Sequence, residues 1–176
     1  MRNETKHNYS IVVYTIVLIF AFILQKTDIL FKPNSPAPNF VLAVLLIVSF
    51  FESFWFSSMF GLACGVLVDA TTVNGFGQHA LLYMLTGFFC SLLLEWLFQN
   101  NFASFAIVSL PLITIHQFIE MIINSGFTNG IFSLFFRFFT VVILYTFFVS
   151  FLLYAFFYFV VKRNTRFKKP IGIIKK

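Results

Sequence analysis

Three sets of residues in this chain have types that do chemistry: Asp69 with His79, Glu120 with His116, Gln117 and Arg137, and the two cysteines Cys64 and Cys90. A carboxylate and an imidazole ten residues apart, as Asp69 and His79 are, are the parts of an acid–base pair. Nothing around them completes one. No serine stands in a GxSxG context, no second carboxylate joins Asp69, and no metal-ligand spacing appears. The sequence therefore predicts no catalytic, cofactor or metal residue. Asp69 is expected to terminate or cap a helix and to hydrogen-bond within the link that follows, and His79 to cap the next helix or to sit at headgroup level.

Cys64 and Cys90 each lie inside an apolar run with no second thiol or histidine at ligand spacing, which leaves small packing residues rather than a disulfide framework or a zinc site. Glu120 and Arg137 are the costliest residues to place in lipid, at about 2.5 to 3.5 kcal/mol each at a helix centre. Two arrangements avoid that cost. Either they form an ion pair or share a polar pocket with His116 and Gln117, or Arg137 snorkels to the surface and Glu120 is exposed there.

The elements that position these residues are apolar. The chain is 60% hydrophobic and 10% charged, with a mean hydropathy of +0.92 and 29 phenylalanines in 176 residues, whereas soluble domains are about 25% charged. It is predicted to be an all-α integral membrane protein, with about six transmembrane helices in one bundle. Residues 1–161 form the single membrane domain, with helices expected near 9–24, 39–51, 54–68, 80–98, 102–123 and 131–161. Residues 162–176 form a basic cytoplasmic tail that holds seven of the twelve lysines and arginines. A basic cluster directly after an apolar run reads as the cytoplasmic anchor of the last helix, with attraction to anionic lipid rather than to nucleic acid. An even number of spans then places both termini in the cytoplasm, and Lys26 and Lys32 oppose this assignment from the outer side.

Within that frame, Tyr9–Leu24 is a retained first helix, since no small-residue cleavage site closely follows it. Gln25–Asn39 is a loop with three of the five prolines, and Pro38 is expected at the first turn of helix two, where its missing amide is no loss. The apolar run from Phe40 to Val68 would make a helix of about 43 Å, too long for a hydrocarbon core of about 30 Å. Two shorter helices with a turn near Glu52, and with Phe54 and Trp55 at the interface, fit better. Ser57, Gly61 and Gly65 recur every four residues, a spacing that lets helix backbones approach, within the bundle or with a partner. The stretch Gly61–Gly87 is two apolar segments joined by a polar link through Thr71, Asn74, Gly75 and Gly77. Pro111 is expected to kink helix five.

Pro38, then Gly61, Gly65 and Asp69, then Gly77-Gln78-His79-Ala80-Leu81-Leu82-Tyr83 and Gly87 together resemble the MreD family of bacterial rod-shape membrane proteins. That pattern is a glycine-spaced helix ending in Asp, a short link and a G-x-H-A-L start to the next helix. This chain departs from it with Pro38-Asn39 in place of Pro-Asp, and with Glu52 among phenylalanines where a short basic loop is usual. The resemblance implies a non-enzymatic scaffold of the cell-elongation machinery in the bacterial inner membrane, without a cofactor. It would bind MreC and connect through it to MreB filaments, a SEDS-type glycosyltransferase and a class B transpeptidase in peptidoglycan synthesis. It also implies a bundle similar to the substrate-binding subunits of energy-coupling-factor vitamin transporters. That transporter role is the alternative function, although the A-x-x-x-A docking pattern of such subunits is missing from Ile11–Leu24, where Ala21 stands alone. GxSG and HExxH patterns of intramembrane enzymes are also absent.

Overall fold

The computed structural model describes residues 4–27, 37–72, 77–97, 102–125 and 140–163. Arg137, the link residues Asn74 and Gly75, the expected start of helix six at 131–139 and the tail from residue 164 lie outside the described residues. Six helices are present among those described: α1 Glu4–Lys26, α2 Phe40–Phe51, α3 Phe54–Asp69, α4 Gln78–Leu97, α5 Phe102–Ser125 and α6 Thr140–Arg163.

The bundle is built around α2. Every residue from Val41 to Phe50 is buried, and α2 contacts all five other helices. A helix surrounded in this way needs no polar face, which is why its sequence is uniformly apolar. Its 12 residues reach about 18 Å, and its two ends are held by polar residues. At the start, Asn39 is extended (φ −83°, ψ 91°) and its side chain accepts from the Leu42 amide, the usual N-cap bond. Pro38 therefore lies one residue before the cap, outside the helix, rather than in its first turn. At the other end Glu52 leaves the helical conformation. There its carboxylate accepts from the Tyr14 hydroxyl (3.2 Å) and its carbonyl from Ser91 Oγ (2.9 Å), which ties α1 and α4 to the α2–α3 turn. Trp55, just beyond, is exposed.

The exposed surface is apolar and several polar groups turn inward. Val12, Ile16, Ile19, Phe20 and Ile23 cover the outside of α1, and Leu144, Phe148, Leu152 and Phe156 form a stripe of i, i+4 spacing on α6. Buried in their place are Ser49, Thr86, Ser91, His116, Gln117 and Thr146. That inversion is what lipid selects, since it tolerates exposed aliphatic groups and penalises unpaired polar ones. Two segments, Ala103–Ile123 and Thr140–Tyr158, are long and apolar enough to cross a membrane unaided, and the apolar parts of α1, α2 and α3 are shorter. Helix α5 continues through Pro111 to Ser125.

Candidate functional site

Two constructions at the Asn39 end of the bundle contain nearly all the residues singled out above. The first is the seam between α3 and α4, the helix pair in most extensive contact. Gly61 faces the Tyr83 carbonyl, Gly65 the backbone of His79 and Ala80, and Gly87 the Ser57 carbonyl. A methyl group at any of the three would overlap that backbone, to within 2.5 Å of the Ser57 oxygen in the case of Gly87. No rotamer change relieves a clash with main chain, so the glycines set the interaxial distance. The small-residue stripe is thus used inside the bundle, and Gly61 and Gly65 are not available to a partner helix.

Asp69 closes the top of this seam. The residue is buried, and its Oδ2 accepts from the amides of Gly77 (2.9 Å) and Ala80 (3.0 Å) while Oδ1 accepts from that of His79 (3.1 Å). It is the last residue of its own helix but caps the next one, placing a carboxylate where α4 exposes unpaired N–H groups and the positive end of its dipole. Gly77, whose carbonyl accepts from Leu81 (3.1 Å), precedes α4 at φ +102°, a conformation that favours glycine. With all those amides on Asp69, the carboxylate is fully engaged in structure.

The second construction is a polar hub centred on Asn39. Its backbone N–H donates to Thr146 Oγ1 on α6 (3.0 Å), and its carbonyl accepts from Ala43 (3.1 Å). The Oδ1 atom caps α2 through Leu42 (2.9 Å), which leaves the amide Nδ2 to donate to the Tyr83 hydroxyl on α4 (2.7 Å) and to Glu120 Oε2 on α5 (3.4 Å). Gln25 on α1 joins the same layer by accepting from the Val41 amide (3.1 Å). One asparagine therefore connects four helices, and the cap fixes which way its amide points.

Beside it, His116 is fully buried, with its ring edge-on to Tyr83 at 4.5 Å and Nδ1 at 2.9 Å from Thr86 Oγ1. Its Nε2 stands 3.9 Å from Glu120 Oε2 and has no hydrogen-bond partner among the described residues. Glu120 thus lies beside His116, whereas the expected arrangements of Glu120 with Arg137 fall outside the described residues. Gln117 is buried on the same helix.

His79 differs from expectation. Its backbone amide is held by Asp69, but its side chain is 1% exposed and neither ring nitrogen has a partner among the described residues, so the ring does not cap α4 and faces the bundle rather than the surface. The cause is helical spacing: His79 lies one turn before the buried Tyr83 on the same face. Sequence reasoning passed over Asn39, Tyr83, Thr86 and Thr146. The one available signal was an asparagine after Pro38 at the start of an apolar run, which marks a cap but not the partners of its amide.

Among the described residues no group of three or more His, Cys, Asp or Glu side chains could hold a metal ion, and both cysteines are free and buried. The family model for rod shape-determining protein MreD matches residues 5–163. No curated protein and no solved structure matches the chain.

Proposed function

Because the chain belongs to the MreD family of rod shape-determining membrane proteins, we propose that it is a non-enzymatic scaffold of the cell-elongation complex, binding MreC in the bacterial inner membrane and thereby supporting peptidoglycan synthesis. The observation that carries the reading is the state of the polar residues: Asp69 holds three backbone amides and Asn39 joins four helices. Groups committed in this way fix a shape, and a fixed shape is what a scaffold offers. MreB, a SEDS-type glycosyltransferase and a class B transpeptidase are reached indirectly in this reading. The bundle is proposed to have six spans, a basic tail against anionic lipid and both termini in the cytoplasm, and to be akin in fold to the substrate-binding subunits of energy-coupling-factor transporters. Six apolar helices among the described residues, five with outward apolar faces around the enclosed α2, support the span count.

The test is to tag the C-terminus, solubilise membranes in mild detergent and identify by mass spectrometry what co-purifies near stoichiometry. MreC with wall-synthesis enzymes is expected. Paired ATPases with a transmembrane coupling subunit would overturn the scaffold reading in favour of vitamin transport. For topology, a C-terminal alkaline phosphatase fusion should be inactive and a fluorescent-protein fusion bright.

A further inference from the structure

Hydrogen-bond accounting around His116 leads to a binding site that the scaffold reading does not require. Thr86 has one hydroxyl proton, and two partners lie within reach: the Leu82 carbonyl at 2.8 Å and His116 Nδ1 at 2.9 Å. A carbonyl only accepts, so the hydroxyl donates to Leu82 and its lone pair must accept from the histidine. The proton of the imidazole is thereby placed on Nδ1. That leaves Nε2 as a bare lone pair, buried, without a partner, and facing Glu120 Oε2 at 3.9 Å. Glu120 Oε2 also accepts from Asn39 Nδ2 at 3.4 Å, so the amide cannot turn to serve the ring: its other face caps α2. A fully buried acceptor, Nε2, confronts a carboxylate oxygen of Glu120, whose side chain is 18% exposed, with no donor between them among the described residues, an arrangement that burial penalises.

We propose that the His116–Glu120 gap is a proton-binding site, in which the 3.9 Å separation closes to hydrogen-bond length around one proton shared between imidazole Nε2 and the Glu120 carboxyl. The proton supplies the missing donor. It links α5 to itself one turn on, and through Asn39 and Tyr83 to α2 and α4. The titratable and polar groups facing the pair are Tyr83, Thr86 and His79 from α4, Asn39 from α2, and Lys26, which acts on Glu120 through its charge, from α1. Thr146 of α6 holds the backbone of Asn39. His79, one turn before Tyr83 on α4, is a second buried imidazole, and neither of its ring nitrogens has a partner among the described residues. Thr86 is a positioning residue in this scheme, since it acts by selecting the tautomer.

The chain has three histidines, which makes ring assignment practical by single substitution of His7 and His79. The full-length protein in nanodiscs at neutral pH, labelled with 15N at histidine and 13C at glutamate, reports both sites directly. Expected are an Nδ1-protonated His116 and one further proton, seen either as an imidazolium or as a protonated Glu120 carboxyl. In Glu120→Gln, whose amide can itself donate to Nε2, the ring should become neutral with Nδ1–H retained. In Thr86→Val the tautomer preference should disappear while the protein stays folded. An Nε2–H tautomer in the unaltered protein would overturn the assignment. So would a neutral ring beside an ionised carboxylate, which would mean that a water donates to both groups. Because these readouts come from the unaltered chain, failure of either variant to fold leaves the test intact.

Discussion

The α3–α4 seam and the Asn39 hub lie in adjacent parts of the molecule and join helices by opposite means. Along the seam, glycines bring backbone against backbone, and the one side chain that closes it, Asp69, binds main-chain amides. In the hub, side chains from α4, α5 and α6 converge on one asparagine of α2, and each bond depends on which group donates. Lipid makes both solutions sensible, because helix association there rests on van der Waals fit and interhelical hydrogen bonds rather than on hydrophobic burial. A steric join admits no adjustment. A polar join can be altered one proton or one side chain at a time.

Substitutions should separate the two. Gly65→Val should have the largest effect, a loss of folded protein from membranes measured by fluorescence-detected size exclusion, and Ala80→Gly should not rescue it because the obstruction is backbone. Asp69→Ala comes next: it orphans three amides and should lower stability by on the order of 3 kcal/mol in detergent unfolding, given about 1 to 3 kcal/mol for each unmade buried bond. Rescue of either variant by polar substitutions in the hub would break the comparison. Asn39→Ala should cost about 2 kcal/mol through the lost cap and interhelical bonds. Combined with Tyr83→Phe it should cost less than the sum of the two single changes, since they remove one shared bond. Gly77→Ala should have the smallest effect of the series, about 1 kcal/mol, because its Cβ would meet nothing and only the positive φ opposes it.

Parts of both regions are legible in the residues. The excess length of Phe40–Val68 requires a break, and the chain turns at Glu52. The glycine stripe announces a close approach, but a period of four cannot say which helix lies opposite. Asp69 ends α3 and bonds Gly77 in the link where the sequence places it, while its capping of α4 through His79 and Ala80 was missed. The signal was negative: α4 begins after Gly77, which has no side chain to cap it, so its amides needed an acceptor from elsewhere. In the hub, Glu120, His116 and Gln117 stand out as intramembrane polar groups, but nothing local to Asn39 or Thr146 reveals contacts made across the bundle. His79 was misplaced because a histidine near a loop reads as interfacial, whereas its helical phase relative to Tyr83 decides burial.

The two joins also differ in when the ribosome makes them possible. Asp69 binds amides 8, 10 and 11 residues later, so the α3–α4 hairpin can close once α4 has been synthesised, at small loop entropy. Asn39 waits for residues 44, 81 and 107 positions downstream, and its last partner belongs to the final helix. During synthesis α2 can therefore lie beside a finished hairpin with its Asn39 amide on Tyr83, but with the partners on α5 and α6 still to come. A nascent chain stalled before Thr146 would carry a complete seam and a hub in which the Asn39 backbone N–H still lacks its acceptor.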